Sequence, residues 1–390
     1  MKTAINLVAA FVIACAALSV NAATYYWKPG ATQGLWTTLE NWSTEGVDGA
    51  DATATPGESD NLDKLSDFNI DLNQGDYKIV GWGSDAGAWE HRNWTISNGR
   101  LTITGETRTH SGNWNIETGG VLIFPSGSTF YPGVDVDSPM YVNINNGGSL
   151  SVLGTARFYR SIYTVASGGE LTFQPTSIRT TSSKANEINN NGILNMPNGM
   201  ILGQYDTTSG ATLTLNQIAG ELNLGASIDD TSASNPSAFR VVFSGGTVNV
   251  TGDVTFNVTS VALENSVTFN VTSGKTVDLT PVSFASGSSI TKTGDGTIIL
   301  PATAPTATIS AGKLALSAST YDLAAVTFEA GSVIELTAMG GRVDSANSSI
   351  ASATFAATIP ATPGTAVLYS TDSTVLTKAK TDLDSSVPTG

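Results

Sequence analysis

A glycine followed by apolar residues at alternate positions recurs along most of this chain, and that recurrence constrains the fold more than any other feature. The pattern Gly-x-apolar-x-apolar occurs at Gly99 with Leu101 and Ile103, Gly120 with Leu122 and Phe124, Gly148 with Leu150 and Val152, and Gly169 with Leu171 and Phe173. It returns at Gly192, Gly220, Gly246, Gly296 and Gly312, and copies with one extra residue start at Gly210, Gly274 and Gly331. A period of two puts the apolar residues on one side of a strand and the polar ones on the other. One such strand cannot bury its apolar side alone, so copies must stack and share an internal column. The gaps between copies run from 10 to 28 residues. A coil absorbs that by lengthening a corner, whereas a sandwich of hairpins has no reason to repeat one strand type. The expected fold is all-β, a parallel β-solenoid of about twelve coils with three short strands each. At about 4.8 Å per coil it makes a rod on the order of 55 Å long. A jelly roll or other β-sandwich is the competing architecture.

Composition agrees. Only 13% of the 390 residues are charged, too few for long amphipathic helices, while Gly (40 residues), Thr, Ser, Asn and Val are abundant. The formal net charge of −15 repels phosphate backbones and anionic headgroups, so neither nucleic acid nor a membrane surface is an expected partner. Asn-rich segments, notably Asn145-Asn146 and Asn189-Asn190-Asn191, suit turns and also stacked amide ladders along a solenoid axis.

Residues 1–22 read as an export signal: Lys2 supplies a positive start, Ala4 to Val20 an uncharged apolar core, and Val20-Asn21-Ala22 a small-residue cleavage site. A lipobox reading of Val12-Ile13-Ala14-Cys15 competes, with lipid anchoring through Cys15. Cys15 is the only cysteine, so its removal leaves no disulfide. No later apolar run reaches the length of a membrane span. The remainder divides into a Trp-rich N-terminal cap and first coils (23–98), a solenoid (99–340) and an Ala/Thr/Ser-rich terminal cap and flexible tail (341–390). All seven tryptophans lie between Trp27 and Trp114. An apolar cover over the open end of a solenoid would prevent end-to-end pairing.

Two segments resemble a known family. Tyr26-Trp27-Lys28, Trp36 and Asn41-Trp42, followed by Pro56-Gly57 and Asp60, resemble the opening of exported bacterial proteins with autotransporter-associated β-strand repeats. Ile290-Thr291-Lys292-Thr293-Gly294-Asp295-Gly296-Thr297-Ile298-Ile299-Leu300, completed by Ala311-Gly312-Lys313-Leu314-Ala315-Leu316, is similar to one copy of that repeat. The resemblance implies a right-handed parallel β-helix outside the cell, without catalytic residues. The chain departs from autotransporters proper in that the roughly fifty residues after Leu336 lack the alternation of membrane-barrel strands, so self-transport is not expected.

Enzymes on β-helices need clustered carboxylates with a basic partner, and glycosidic acid–base chemistry needs two carboxyls at a set separation. Asp229-Asp230 is the only adjacent acidic pair in the coils, and Asp135 with Asp137 forms a second cluster; neither has a histidine near it in sequence. His91 and His110 lie in the Trp-rich part. A calcium ion at Asp135 and Asp137 would need more oxygens than the segment offers, and Gly294-Asp295-Gly296 belongs to the repeat rather than to a nucleotide loop. The expectation is no catalytic residue, no cofactor and no metal. Trp27, Trp36, Trp42, Trp82, Trp89 and Trp94 are candidates for stacking on sugars; burial over the first coils is the alternative use of the same rings. The functional expectation is a secreted or cell-surface protein, adhesin-like or structural in a matrix, with extracellular polysaccharide or host and cell-surface components as partners. The alternatives are a carbohydrate-binding module built on the tryptophans and a polysaccharide lyase or hydrolase.

Overall fold

The computed structural model describes residues 23–28, 34–46, 48–62, 68–82, 91–108, 111–132, 139–158, 160–174, 178–180, 185–204, 212–230, 238–301, 305–316, 320–321, 323–336, 341–343, 350, 352–357, 368–370 and 373–386. The chain winds repeatedly through three sheets of 11, 11 and 12 strands, here sheets I, II and III. One turn runs through Thr129–Tyr131 in sheet I, Met140–Ile144 in sheet II and Ser149–Val152 in sheet III. The next repeats the circuit with Thr155–Phe158, Ser161–Val165 and Glu170–Phe173. Each strand pairs in parallel with its equivalents one turn before and after, which a sandwich of hairpins cannot do. Among the described residues nine turns carry a strand of all three sheets, and sheet III continues through three more strands beyond them. The fold is a β-solenoid.

The glycine copies do not all fall on one sheet. The copies from Gly99 to Gly246 form one stack, in which Leu101, Leu122, Leu150, Leu171, Leu194, Leu222 and Val248 are successive register partners in sheet III. Gly210 instead precedes Thr212–Gln217 of sheet II. Gly274, Gly296, Gly312 and Gly331 precede strands of a fourth, five-stranded sheet. An inward-facing strand has the same period of two on whichever side of the coil it lies, so the pattern counts strands and not turns.

Glycine recurs because coils stack so closely at this corner. Gly147 adopts φ +73° and Gly148 follows it into the strand. A Cβ on Gly148 would lie 2.2 Å from the Ile116 carbonyl of the preceding turn, and the equivalent atoms on Gly120 and Gly169 would lie 2.4 Å from the Ile96 and Ile144 carbonyls. At Gly147 an added Cβ meets only Thr118, with Cγ2 nearest at 3.3 Å, so the cost there is mainly backbone strain. Gly147→Ala should lower stability by about 1–2 kcal/mol, and Gly148→Ala by more, because two turns must separate. Urea unfolding of the two variants checks the order, and equal losses would contradict the stacking account.

The buried core is continuous along the coils. In sheet II, Trp94, Trp114, Val142, Tyr163, Ile188, Leu215, Val241 and Val261 form a second buried column. At the N-terminal end, Thr24–Trp27 pairs with Trp42–Ser43 in the one antiparallel contact among the described strands, outermost in sheet I. At the other end lies an element the sequence reading treats as tail: an α-helix, Ser373–Ser386. Val375 and Ala379 are buried and Leu383 packs against the core, an i, i+4, i+8 stripe. The Asp382 carboxylate accepts the Phe355 amide of the last strand of the fourth sheet at 2.9 Å. Burial pushes the Asp382 carboxyl up, but the Phe355 amide and the Lys378 ammonium at 3.0 Å outweigh it and leave it below its usual range. A helix thus covers an open strand edge. Its Thr- and Asp-containing sequence hides a stripe only three residues wide. No described helix is long and apolar enough to cross a membrane.

Candidate functional site

The tryptophans are the first candidates. Trp27, Trp36 and Trp42 are fully buried and Trp94 is 5% exposed, so none of these four offers a ring face to a sugar. Trp42 packs edge-on against Trp27 and Trp36 with centroids 4.9 and 5.0 Å apart, and Trp36 stacks on Tyr77 at 4.9 Å. Trp94 and Trp114 occupy equivalent positions in successive turns and stack at 4.4 Å. Burial of the rings is the use realised for these positions. Trp82 lies on the strand Gly81–Trp82, with its side chain outside the described residues, and Trp89 is outside them altogether. Tryptophan emission should therefore be blue-shifted and resist acrylamide quenching, with no response to oligosaccharides. A shift on adding a glycan would point to Trp82 or Trp89.

The carboxylates do not assemble a site among the described residues. Asp229 sits on the strand Ile228–Asp230 of sheet I and accepts a hydrogen bond from Asn257 Nδ2 of the next turn at 2.6 Å. Asp230 follows it, and both are half-buried. Asp135, Asp137 and His110 lie outside the described residues, and His91 is placed only as the first residue of His91–Ser97. No three His, Cys, Asp or Glu side chains among the described residues are grouped to hold a metal ion.

What the outer faces carry instead is ladders. On sheet III, Asn223 donates to Asn195 at 2.7 Å, Asn249 to Asn223 at 2.8 Å and Asn270 to Asn249 at 3.0 Å. On sheet II, Asn113 donates to Asn93, Asn143 to Asn115 and Asn216 to Asn189, at 2.8, 3.0 and 2.7 Å. The ladders run along strand faces rather than along turns. Of the Asn residues expected to stack, Asn189 and Asn190 end a strand, and Asn145 donates to Glu117 Oε1 at 2.8 Å. An amide has both a donor and an acceptor, so equivalent positions one turn apart satisfy each other.

Three polar residues point inward, a placement the sequence does not announce by residue type. Lys292 stands between Phe269 and Ile309 in the sheet III column, fully buried. Its Nζ donates to the carbonyls of Thr293, Gly294 and Ala311 at 2.9, 2.6 and 3.1 Å. Burial pulls the ammonium down to about 8, opposed by nearby Asp295. Asn190 and Gln217 end sheet II strands in the same inward phase; Asn190 Nδ2 donates to Gln217 Oε1 at 2.6 Å, and Gln217 Nε2 to the Ala219 carbonyl at 2.7 Å. Each is a long polar side chain in an apolar phase (Ile290-x-Lys292, Ile188-x-Asn190, Leu215-x-Gln217), and that phase was the legible signal. All three bond to backbone at the coil corners. Comparisons with protein families, with curated proteins and with solved structures each return no match.

Proposed function

We propose that this chain is a non-catalytic exported rod that acts at the cell surface or in an extracellular matrix, adhesin-like or structural, with polysaccharide or surface components as partners. The observation that carries the reading is the use of the outer faces. Outward amides on sheets II and III bond to their equivalents one turn away, and Asp229 bonds to Asn257, so these groups stiffen the rod rather than converge on a cleft. The apolar start at residues 4–20 and the cleavage-like Val20-Asn21-Ala22 support export, and the resemblance to autotransporter-associated repeats supports a surface role. A net charge of −15 suits a rod that must stay dispersed.

Fractionation of cells expressing the full chain tests this directly. The product should appear in surface or medium fractions, cleaved before Ala23, and release no sugars from a polysaccharide panel. Product confined to the cytoplasm would sink the export proposal. Sugar release that disappears in Asp229→Ala would establish the lyase or hydrolase alternative in its place.

A further inference from the structure

One outward column of sheet III behaves unlike the amide ladder beside it. Thr247, Thr268, Thr291, Thr308 and Thr327 are consecutive register partners on five neighbouring strands. Their immediate neighbours point inward: Val267 and Phe269 flank Thr268, Ala307 and Ile309 flank Thr308, and all four are buried. The five threonines therefore stand in a straight outward file, about 4.8 Å from one to the next. None of their hydroxyls has a hydrogen-bond partner within the described chain. The neighbouring Asn249 and Asn270 amides, by contrast, bond to each other.

The surroundings narrow what such a file can meet. On one flank, Ser266, Ser289 and Thr306 stand in register; on the other, Asn270 aligns with Thr293. Flanking files lie about 6.6 Å from the central one, two residues along each strand. No charged or aromatic side chain faces outward from the strands of this patch. A sugar platform would present aromatic rings, a protein interface would present aromatic or Arg anchors, and an ion would need charge. A single hydroxyl gains little on exchanging water for another partner. Only a ligand that repeats with the strands and engages many hydroxyls at once gains from this arrangement. Crystalline water is such a ligand: its oxygens repeat along one lattice axis at nearly the strand spacing, each hydroxyl can occupy a lattice oxygen position, and the threonine methyls pack in the gaps between.

We infer that the threonine file of sheet III binds the surface of ice. The inference rests on the solenoid register alone and stands or falls apart from the export proposal. The test grows ice slowly from a dilute solution of the fluorescently labelled full chain and measures the protein taken into the solid. The wild-type chain should be enriched several-fold over an inert globular protein and should slow ice recrystallisation. Thr291→Tyr, which raises a bulky ring at the centre of the file, should abolish both effects. Thr214→Tyr, on the outer face of sheet II, should change neither. If Thr291→Tyr loses its native circular dichroism, Thr268→Val combined with Thr308→Val removes two hydroxyls at constant volume and must lower the enrichment. Exclusion of the wild-type chain from ice would overturn the inference, as would equal uptake of the Thr291 and Thr214 variants. Retention on cellulose or chitin that Thr291→Tyr alone abolishes, without uptake into ice, would also overturn it and assign the file to a glycan.

Discussion

Lys292→Ala should destabilise the chain by about 3–5 kcal/mol, because it strands three half-buried carbonyls and opens a cavity in the same step. Those carbonyls, of Thr293, Gly294 and Ala311, belong to two successive turns and converge on one ammonium. Gly312, where an added Cβ would lie 2.7 Å from Lys292 Nζ, leaves room for that convergence. Lys292→Met keeps most of the volume and should cost less, about 2 kcal/mol. The lysine also gives stability a pH dependence of predictable sign. Burial lowers its folded value to about 8 while the unfolded value stays near 10.5, so between those limits the unfolded chain holds more protons. Stability must therefore rise with pH across that window, by roughly 1–3 kcal/mol. The Tyr163, Tyr25 and Tyr77 hydroxyls, raised by burial, act in the opposite sense above pH 10. Subtracting the Lys292→Met curve removes their contribution. Urea midpoints of wild type that stay flat relative to Lys292→Met from pH 8 upward would show that the ammonium is not held as described.

How much of this is legible in the sequence differs from residue to residue. The Leu101-to-Val248 column follows from alternation and glycine spacing, because one inward side is all the pattern needs to state. The assignment of later copies to the fourth sheet does not follow, since Gly296 and Gly148 introduce the same local pattern. Lys292 is invisible to a hydrophobicity count although it occupies an apolar phase. The helix Ser373–Ser386 is missed for a related reason: three apolar residues suffice where a strand edge supplies the rest of the contact. The tryptophans suit either a platform or a filling, and composition alone cannot choose, because the same ring serves both. Register decides for Trp94 and Trp114, which share one inward column.

Trp42→Ala is the corresponding probe at the N-terminal end, and its cost should be about 3–5 kcal/mol. Trp42 is fully buried and joins Trp27 and Trp36 edge-on. Its indole N–H donates to the Trp36 carbonyl at 2.8 Å, and its own carbonyl accepts the Ala52 amide at 2.8 Å. Truncation removes the shared centre of the aromatic cluster and the donor to Trp36 together. Trp42→Phe retains a ring and loses chiefly the hydrogen bond, so about 1–2 kcal/mol separates it from wild type. In a solenoid each turn is stabilised mainly by its neighbours, so the loss should open the first turns before the rest. Opening them uncovers parallel strand edges at Asn61–Leu62 and Gly81–Trp82, and unpaired edges associate. The Ala variant should therefore be cleaved by protease near its N-terminus and form concentration-dependent oligomers under conditions where the wild-type chain does neither. If it stays monomeric and unfolds at the wild-type urea concentration, the Trp27–Trp36–Trp42 cluster does not cap the rod, and the antiparallel pair beside it must close that end alone.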